Sequence, residues 1–311
     1  MGIMDDLAGW RALPLVELMA LALRVKLAHR GGQFSLCGIV NAKSGQCSED
    51  CRFCVQSAHF VTGAPVYPLL SREQALAAAW DARNNGAGHF SLVTSGRGLG
   101  GRELSRVAEL VTAIREEVEI PVCASLGILR QPDLELLKEA GLARYHHNLE
   151  TSESFFPRIA TTHSFAERVD TIRAAKAVGL EVCAGGILGL GESEEDRVSL
   201  ALTLRGLEVD SLPVNILIPL PGTPLAGTPP PPLPVRDILR SLALFRLLLP
   251  AIPIRLAAGR ETALQDFLSS AFLAGADGMM IGGYLTEKGR LPADDLRFAA
   301  RIRELWREAS D

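Results

Sequence analysis

Ser35-Leu-Cys-Gly-Ile-Val-Asn41 is the first of eight short apolar runs along the chain, each bounded by Gly, Pro or polar residues. Such runs are typical of parallel strands buried on both faces. Helix signals separate most of them, including capping boxes at Ser71/Gln74 and Ser164/Glu167. The alternation predicts an α/β protein with a (β/α)₈ TIM-type barrel, and a doubly wound open sheet is the alternative. The predicted strands cover residues 35–41, 89–94, 121–127, 144–150, 180–189, 212–218, 252–257 and 278–282.

A single domain is predicted over residues 1–311, with a helical segment (1–34) before the barrel (35–285) and a helical tail (286–311) after it. The Leu-rich stretch 13–27 is interrupted by Glu17 and closed by Arg24 and Lys26, which excludes a membrane span or signal peptide. It is predicted to be an amphipathic helix packed on the barrel.

The overall composition excludes some classes of function. At 48% hydrophobic residues, the 311-residue chain can bury a large core. Its net charge of −4, without a Lys/Arg-rich run, argues against a nucleic-acid-binding surface. With no export or membrane signal, a cytoplasmic location is expected, where thiols stay reduced and bind metals or clusters rather than form disulfides.

Three of the six cysteines lie in Cys47-Ser-Glu-Asp-Cys51-Arg-Phe-Cys54, directly after the first predicted strand. Three thiolates on one loop can hold three irons of a cubane cluster and leave the fourth iron open for chemistry. A zinc site, a disulfide pair and coincidence are the alternatives. No second CxxC or HxxxH pair follows, and three crowded thiols always leave one unpaired in a disulfide framework.

Two further stretches indicate a small-molecule site. Residues 145–152 (YHHNLETS) crowd hydrogen-bonding side chains at the carboxyl end of a predicted strand, where burial without partners is costly. An edge strand with satisfied histidines is the alternative. Residues 183–192 run from a strand into a glycine-rich turn, which lets a ligand approach the backbone closely but is also typical of a tight turn.

The segment Gly96-Arg-Gly-Leu-Gly-Gly101 contains GxGxxG but does not predict a dinucleotide site. That fingerprint needs an acidic residue at the far end of the next strand. Here Glu116, Glu117 and Glu119 precede the next strand instead.

These features together resemble the biotin synthases, a family of radical S-adenosylmethionine (SAM) enzymes. The resemblance covers roughly residues 35–285 in the family's order. It lies in stretches 41–57, 145–152, 182–192, 211–215, 222–225 and 254–261.

The resemblance implies a radical SAM sulfurtransferase that inserts sulfur into dethiobiotin. Cys47, Cys51 and Cys54 would hold a [4Fe–4S] cluster that binds SAM and yields a 5′-deoxyadenosyl radical. A second, auxiliary iron–sulfur cluster would donate the sulfur. By position, the auxiliary ligands would include Cys123, Cys183 and Arg255, the SAM contacts Phe53, Glu150, Arg168 and Ile187, and the dethiobiotin contacts Asn148 and Asn215.

Three positions depart from the family pattern. Glu150 stands where Asp is usual and His146 where Asn is common, and Ser91 stands where the remaining auxiliary cysteine is expected. A serine hydroxyl is a poor iron ligand because it stays protonated near neutral pH. Cys37, in the neighbouring first strand, is either its replacement as a ligand or ordinary core packing, and the strand register decides between them.

Two other functions stay open at this point. One is a related radical enzyme without sulfur donation, of the hydrogenase-maturation or methylornithine-synthase type, and the other is a non-catalytic cluster- or metal-binding protein. The resemblance further implies an electron-donor protein as partner and a homodimer, while the charge and the Leu-rich stretch predict no nucleic-acid or membrane partner.

Overall fold

In the computed structural model, which describes residues 3–283 and 289–306, nine parallel strands form one sheet. The strands are β1 (Ser35–Lys43), β2 (His89–Thr94), β3 (Val122–Ser125), β4 (Arg144–His146), β5 (Glu181–Cys183), β6 (Gly186–Leu188), β7 (Leu212–Ile216), β8 (Ile254–Leu256) and β9 (Gly278–Met280).

Helices alternate with these strands. They are α1 (Ile3–Ala12), α2 (Leu15–Arg30), α3 (Arg72–Asn84), α4 (Gly101–Glu117), α5 (Gln131–Glu139), α6 (Phe165–Ala177), α7 (Glu194–Gly206), α8 (Pro224–Gly227), α9 (Val235–Leu248), α10 (Arg260–Leu264), α11 (Leu268–Leu273) and α12 (Pro292–Leu305). Two 3₁₀ turns cover Phe156–Arg158 and Gln265–Phe267. The α8 turn interrupts a proline-rich loop, and both predicted capping boxes form.

The sheet closes into a barrel. Its strand order is β5-β4-β3-β2-β1-β9-β8-β7-β6, so the two terminal strands are consecutive in the chain. Only Ala184 and Gly185 separate them, and so short a segment spans about 10 Å at most. Across a flat sheet the same strands would lie roughly 38 Å apart, at about 4.8 Å per strand. The TIM-type fold is therefore confirmed and the open-sheet alternative is wrong.

The prediction of eight strands is wrong in one detail, because the fifth is divided in two. Its first part, β5, pairs with β4, and its second part, β6, pairs with β7. Single backbone bridges, Glu150–Gly186 and Cys183–Ser211, join the two edges across the division. A Cβ on Gly185 would lie 1.8 Å from the carbonyl oxygen of Pro213, so the backbones approach too closely here for any side chain.

The predicted N-terminal helix begins after Pro14 and lies against α9. Its buried residues Leu18, Ala22 and Lys26 are spaced four apart and form one face. The buried apolar side chains form a main cluster that extends from Leu7 to Trp306. The predicted boundary between barrel and tail falls within residues 284–288, outside the described residues.

Candidate active site

A cavity of about 340 Å³ lies inside the barrel, toward the carboxyl ends of the strands. On β3 and β4 alternate residues line it, as the period-two geometry of a strand requires. The predicted site residues all line this one cavity: Cys37, Cys47, Cys51, Phe53, Cys54, Cys123, Asn148, Glu150, Arg168, Cys183, Ile187, Asn215 and Arg255.

The loop after β1 holds three thiols at one end of the cavity. The amide of Cys47 donates to the carbonyl of Gln56 (2.9 Å), and the Cys54 amide donates to that of Cys51 (2.9 Å). Gln46, directly before the loop, adopts a left-handed backbone (φ +52°), which turns the chain back on itself. These contacts fold the CxxxCxxC motif into a closed turn.

Burial controls the protonation of these thiols. It raises the pKa of Cys51 to about 12 and that of Cys54 to about 11. Without a positive partner both would stay protonated, since desolvation disfavours the thiolate. An iron centre would supply that partner and displace the protons.

Two carboxylates within the motif fasten the loop to the segment after the first 3₁₀ turn. Asp50 accepts hydrogen bonds from Thr161 and Thr162, which lower its pKa to about 2 despite partial burial. Glu49 Oε2 accepts from the hydroxyl of Thr162 (2.8 Å) and lies 2.6 Å from Nδ1 of His163.

The carboxyl end of β4 supplies the middle of the cavity. The side-chain oxygen of Asn148 lies 2.9 Å from His146 Nε2 and accepts from the Gly185 amide (3.1 Å). Glu150 adopts a left-handed backbone (φ +68°), where a non-glycine residue is strained, and burial raises the pKa of its carboxyl. The Arg168 guanidinium, 3.7 Å away, opposes that shift.

Asn215 faces the same space from β7. Its amide oxygen accepts from the Ala258 amide (3.1 Å), and its amide nitrogen donates to the Gly186 carbonyl (3.4 Å). Asn148 likewise donates through one N–H only, to Glu150. In each amide, one N–H therefore has no partner among the described residues.

Three thiols line the deep end of the cavity: Cys37 on β1, Cys123 on β3 and Cys183 on β5. Burial raises the pKa of Cys123 and Cys183, while nearby arginines oppose the shift. Arg255 donates from Nε to the hydroxyl of Ser35 (3.0 Å) and from Nη1 to that of Ser211. Ser91 pairs with Cys123 across the strands, and its buried hydroxyl has no hydrogen-bond partner within the described part of the chain.

Sequence reasoning missed several polar residues that line this cavity. Arg144 lies beside Cys123 in register and pairs with Glu181. His89 lies opposite Cys37, and burial and the nearby arginines lower its pKa to about 4. Both occupy inward positions of predicted strands, so a count of alternate positions could have found them. Glu49 and His163 carried no such signal, because their pairing joins two distant loops.

The donor set fits iron–sulfur clusters, because thiolate is the ligand that cluster irons favour. Within residues 3–283 and 289–306, no group of three or more His, Cys, Asp or Glu side chains is placed to hold a metal ion. The irons of a cluster are spread over several ångströms, and each takes its own thiolate. The cavity offers thiols at both ends, together with buried polar atoms that lack partners in the described structure: Ser91 Oγ, Thr94 Oγ1 and His147 Nε2. Both thiol groups therefore fit such a centre.

No helix in the described ranges is both long and apolar enough to span a membrane.

The comparisons with known proteins define the class first. The radical SAM superfamily model matches residues 43–204, and the biotin and thiamin synthesis associated domain matches residues 213–302. Methylornithine synthase shares the fold (TM-score 0.77, 19% identity, 98% of this chain and 96% of that one). So does the FeFe-hydrogenase maturase from Carboxydothermus hydrogenoformans (TM-score 0.79, 19% identity, 96% and 77%). This is the architecture of a radical SAM enzyme.

Relatives with similar sequences identify the family within this class. Biotin synthase from Pelotomaculum thermopropionicum is 51% identical, over 93% of this chain and 89% of the relative. The biotin synthases from Desulforudis audaxviator (53%, over 94% and 87%) and Thermotoga petrophila (47%, over 94% and 97%) match similarly. The chain belongs to the biotin synthase family. It is an enzyme, a sulfurtransferase, so the non-catalytic alternative is wrong, as is the related radical enzyme without sulfur donation.

Proposed function

We propose that the chain inserts sulfur into dethiobiotin to form biotin, with its two thiol groups holding two different iron–sulfur clusters. Cys47, Cys51 and Cys54 would hold a [4Fe–4S] cluster, which when bound supplies the electron that cleaves the sulfonium of SAM. The observation that carries the proposal is the single cavity, which both thiol groups and the amide pair line together.

The residues around the first thiol group suit SAM. SAM carries an ammonium, a carboxylate and ribose hydroxyls, so its site needs an acceptor and a cation. Glu150 and Arg168 supply these 3.7 Å apart. Phe53 and Ile187 add apolar surface. A largely apolar cavity of this kind would protect a reactive species from side reactions.

Asn148 and Asn215 suit a neutral, urea-like ring. An amide both donates and accepts, which matches the N–H and C=O groups of a ureido ring. The protein bonds already described fix the orientation of both amides and leave an N–H of each available. Such a prearranged pair discriminates against analogues that lack the matching groups.

The deep thiols Cys37, Cys123 and Cys183, with Arg255 beside them, would hold the auxiliary cluster that gives up sulfur. Cys37 replaces the thiolate that is absent at Ser91, since its position on β1 brings it to the lining of the cavity. We further propose that the enzyme works in the cytoplasm as a homodimer and receives electrons from a separate donor protein.

The proposal is tested with Cys51→Ala after anaerobic reconstitution with iron and sulfide. We expect 5′-deoxyadenosine release to fall to background, because one iron of the first cluster loses its ligand, while circular dichroism still shows the folded barrel. Arg52→Ala, at the exposed neighbouring position, is the matched control and should stay near the wild-type rate. Normal release from Cys51→Ala would refute the assignment of the first cluster.

A further inference from the structure

We infer that Glu49 and His163 are positioning residues that hold Arg168 in place for SAM, and so link the CxxxCxxC loop to the ligand. The inference rests on the proposed function, in which Arg168 contacts SAM. Neither Glu49 nor His163 is among the predicted site residues, and the fold brings their side chains together.

The hydrogen bonds assign the state of the imidazole. Nε of Arg168 lies 3.0 Å from Nε2 of His163, and a guanidinium can only donate. His163 Nε2 is therefore an acceptor, and the ring is neutral with its proton on Nδ1. That N–H donates to Glu49 Oε2 at 2.6 Å. Burial and the nearby Arg168 charge also lower the pKa of His163, which agrees with a neutral ring.

These hydrogen bonds leave the Nη2 edge of the Arg168 guanidinium available to a ligand. Its Nη1 donates to the Asn148 carbonyl (2.8 Å), and its Nε is taken by His163. The central carbon of the guanidinium lies over the ring of Phe156, 5.6 Å from the ring centre. Nη2 makes no hydrogen bond within residues 3–283 and 289–306, so it is available to the carboxylate of an amino-acid ligand.

Glu49, at the other end of this hydrogen-bond network, lies inside the cysteine loop. Glu49 stands between Cys47 and Cys51, and its carbonyl accepts from the hydroxyl of Ser57 (2.6 Å). The side chain of Glu49 is 8% exposed and that of His163 is 2% exposed, so water screens the contact little. A shift of the loop would therefore be transmitted to Arg168.

The GxGxxG segment, residues 96–101, also takes part in this hydrogen-bond network. Arg97 donates to the Thr162 carbonyl (2.8 Å), lies 3.4 Å from Glu49 and pairs with Glu167. The loop after β2 thereby fastens the segment that carries His163. Gly98 is needed because a Cβ there would lie 2.3 Å from the Ile128 carbonyl oxygen.

Asp50 provides a matched control. It fastens the same loop to the same segment through Thr161 and Thr162, but it makes no contact with His163 or Arg168. If the network only fastens the loop, Asp50→Asn and His163→Leu should have similar effects. If it positions Arg168, only the His163 variant should affect SAM.

The test measures SAM binding to the anaerobically reconstituted enzyme by calorimetry, together with the KM and kcat of SAM cleavage. We expect His163→Leu to weaken binding and raise the KM about 10- to 100-fold, as for a lost hydrogen bond to a charged group, with a much smaller change in kcat. His163→Gln, whose amide both donates and accepts, should recover most of the affinity. His163→Phe keeps the ring packing against Phe156 and replaces His163→Leu if that variant does not fold.

Wild-type affinity in the disrupting His163 variants, or an equal loss in Asp50→Asn, would overturn the inference. Absence of SAM binding by the wild-type enzyme would instead overturn the proposed function. The two failures are therefore distinguishable.

Discussion

Cys37 is the residue on which the proposed second cluster most depends. It lines the cavity, as do Cys123 and Cys183, whereas the hydroxyl of Ser91 is a poor iron ligand. We predict that Cys37→Ser loses most of the auxiliary cluster. The cleanest background is the triple variant with Ala at positions 47, 51 and 54, in which only the deep thiols can bind iron.

In that background, iron and sulfide counts should fall to near zero when Cys37→Ser is added. Adding Ser91→Cys to Cys37→Ser should restore part of the iron, because a thiol returns beside Cys123 in register. Unchanged iron and sulfide in Cys37→Ser would make Cys37 a packing residue and contradict the proposed ligand set.

The divided fifth strand is the element that shapes the centre of the site. At the division, the Gly185 amide donates to Asn148, and its carbonyl accepts from the amides of Leu149 and Glu150. Ala184 and Gly185, between β5 and β6, let the chain leave the β4 edge and join the β7 edge. The division therefore closes the barrel and orients Asn148 and Glu150, the proposed ligand contacts that follow β4.

We predict that Gly185→Ala destabilises the protein by about 1–3 kcal/mol, as expected for overpacking, and abolishes biotin formation. The new methyl group would meet the Pro213 carbonyl at 1.8 Å, and relief would displace Asn148. Gly206→Ala, at the end of α7 with no atom near its Cβ, is the control and should be neutral or slightly stabilising. Thermal unfolding and a biotin assay measure both; a Gly185→Ala enzyme with normal stability would show that the close approach is unimportant.

Across the whole molecule, one buried charge cluster joins distant parts of the chain. Asp277, fully buried before β9, pairs with Arg30 of α2 (2.8 Å) and Arg246 of α9 (3.1 Å) and accepts from the Ile254 amide of β8 (2.9 Å). Burial lowers the pKa of Arg246 to about 10, and the guanidinium stays charged near neutral pH. Its remaining N–H groups donate to carbonyls, including that of Gly275.

We predict that Asp277→Ala lowers the free energy of unfolding by about 3–5 kcal/mol, because it leaves the Arg246 charge buried without its carboxylate. Anaerobic urea denaturation of the reconstituted enzyme measures this. Glu117→Ala, which breaks the exposed pair with Arg72, should cost less than about 1 kcal/mol. Equal effects of the two variants would contradict a special role for the buried charge.

The sequence alone determined the fold class and, through the family resemblance, the proposed ligand-binding residues that line the cavity. Apolar runs of strand length alternate with helix signals. Both patterns are local, so they can be recognised in the sequence without knowledge of tertiary contacts. The cysteine spacing is local as well. Together with the position of each motif after a strand, it placed the candidate site at the carboxyl end of the barrel.

Only the tertiary structure decided the rest. It divided the fifth strand, because the approach of Gly185 to Pro213 exists only once the barrel has closed. It brought Cys37 to the lining of the cavity, since strand register depends on pairing with distant strands. It also paired Glu49 with His163, 114 residues apart in the chain. No local pattern encodes such contacts, because their energy comes from neighbours that the fold supplies.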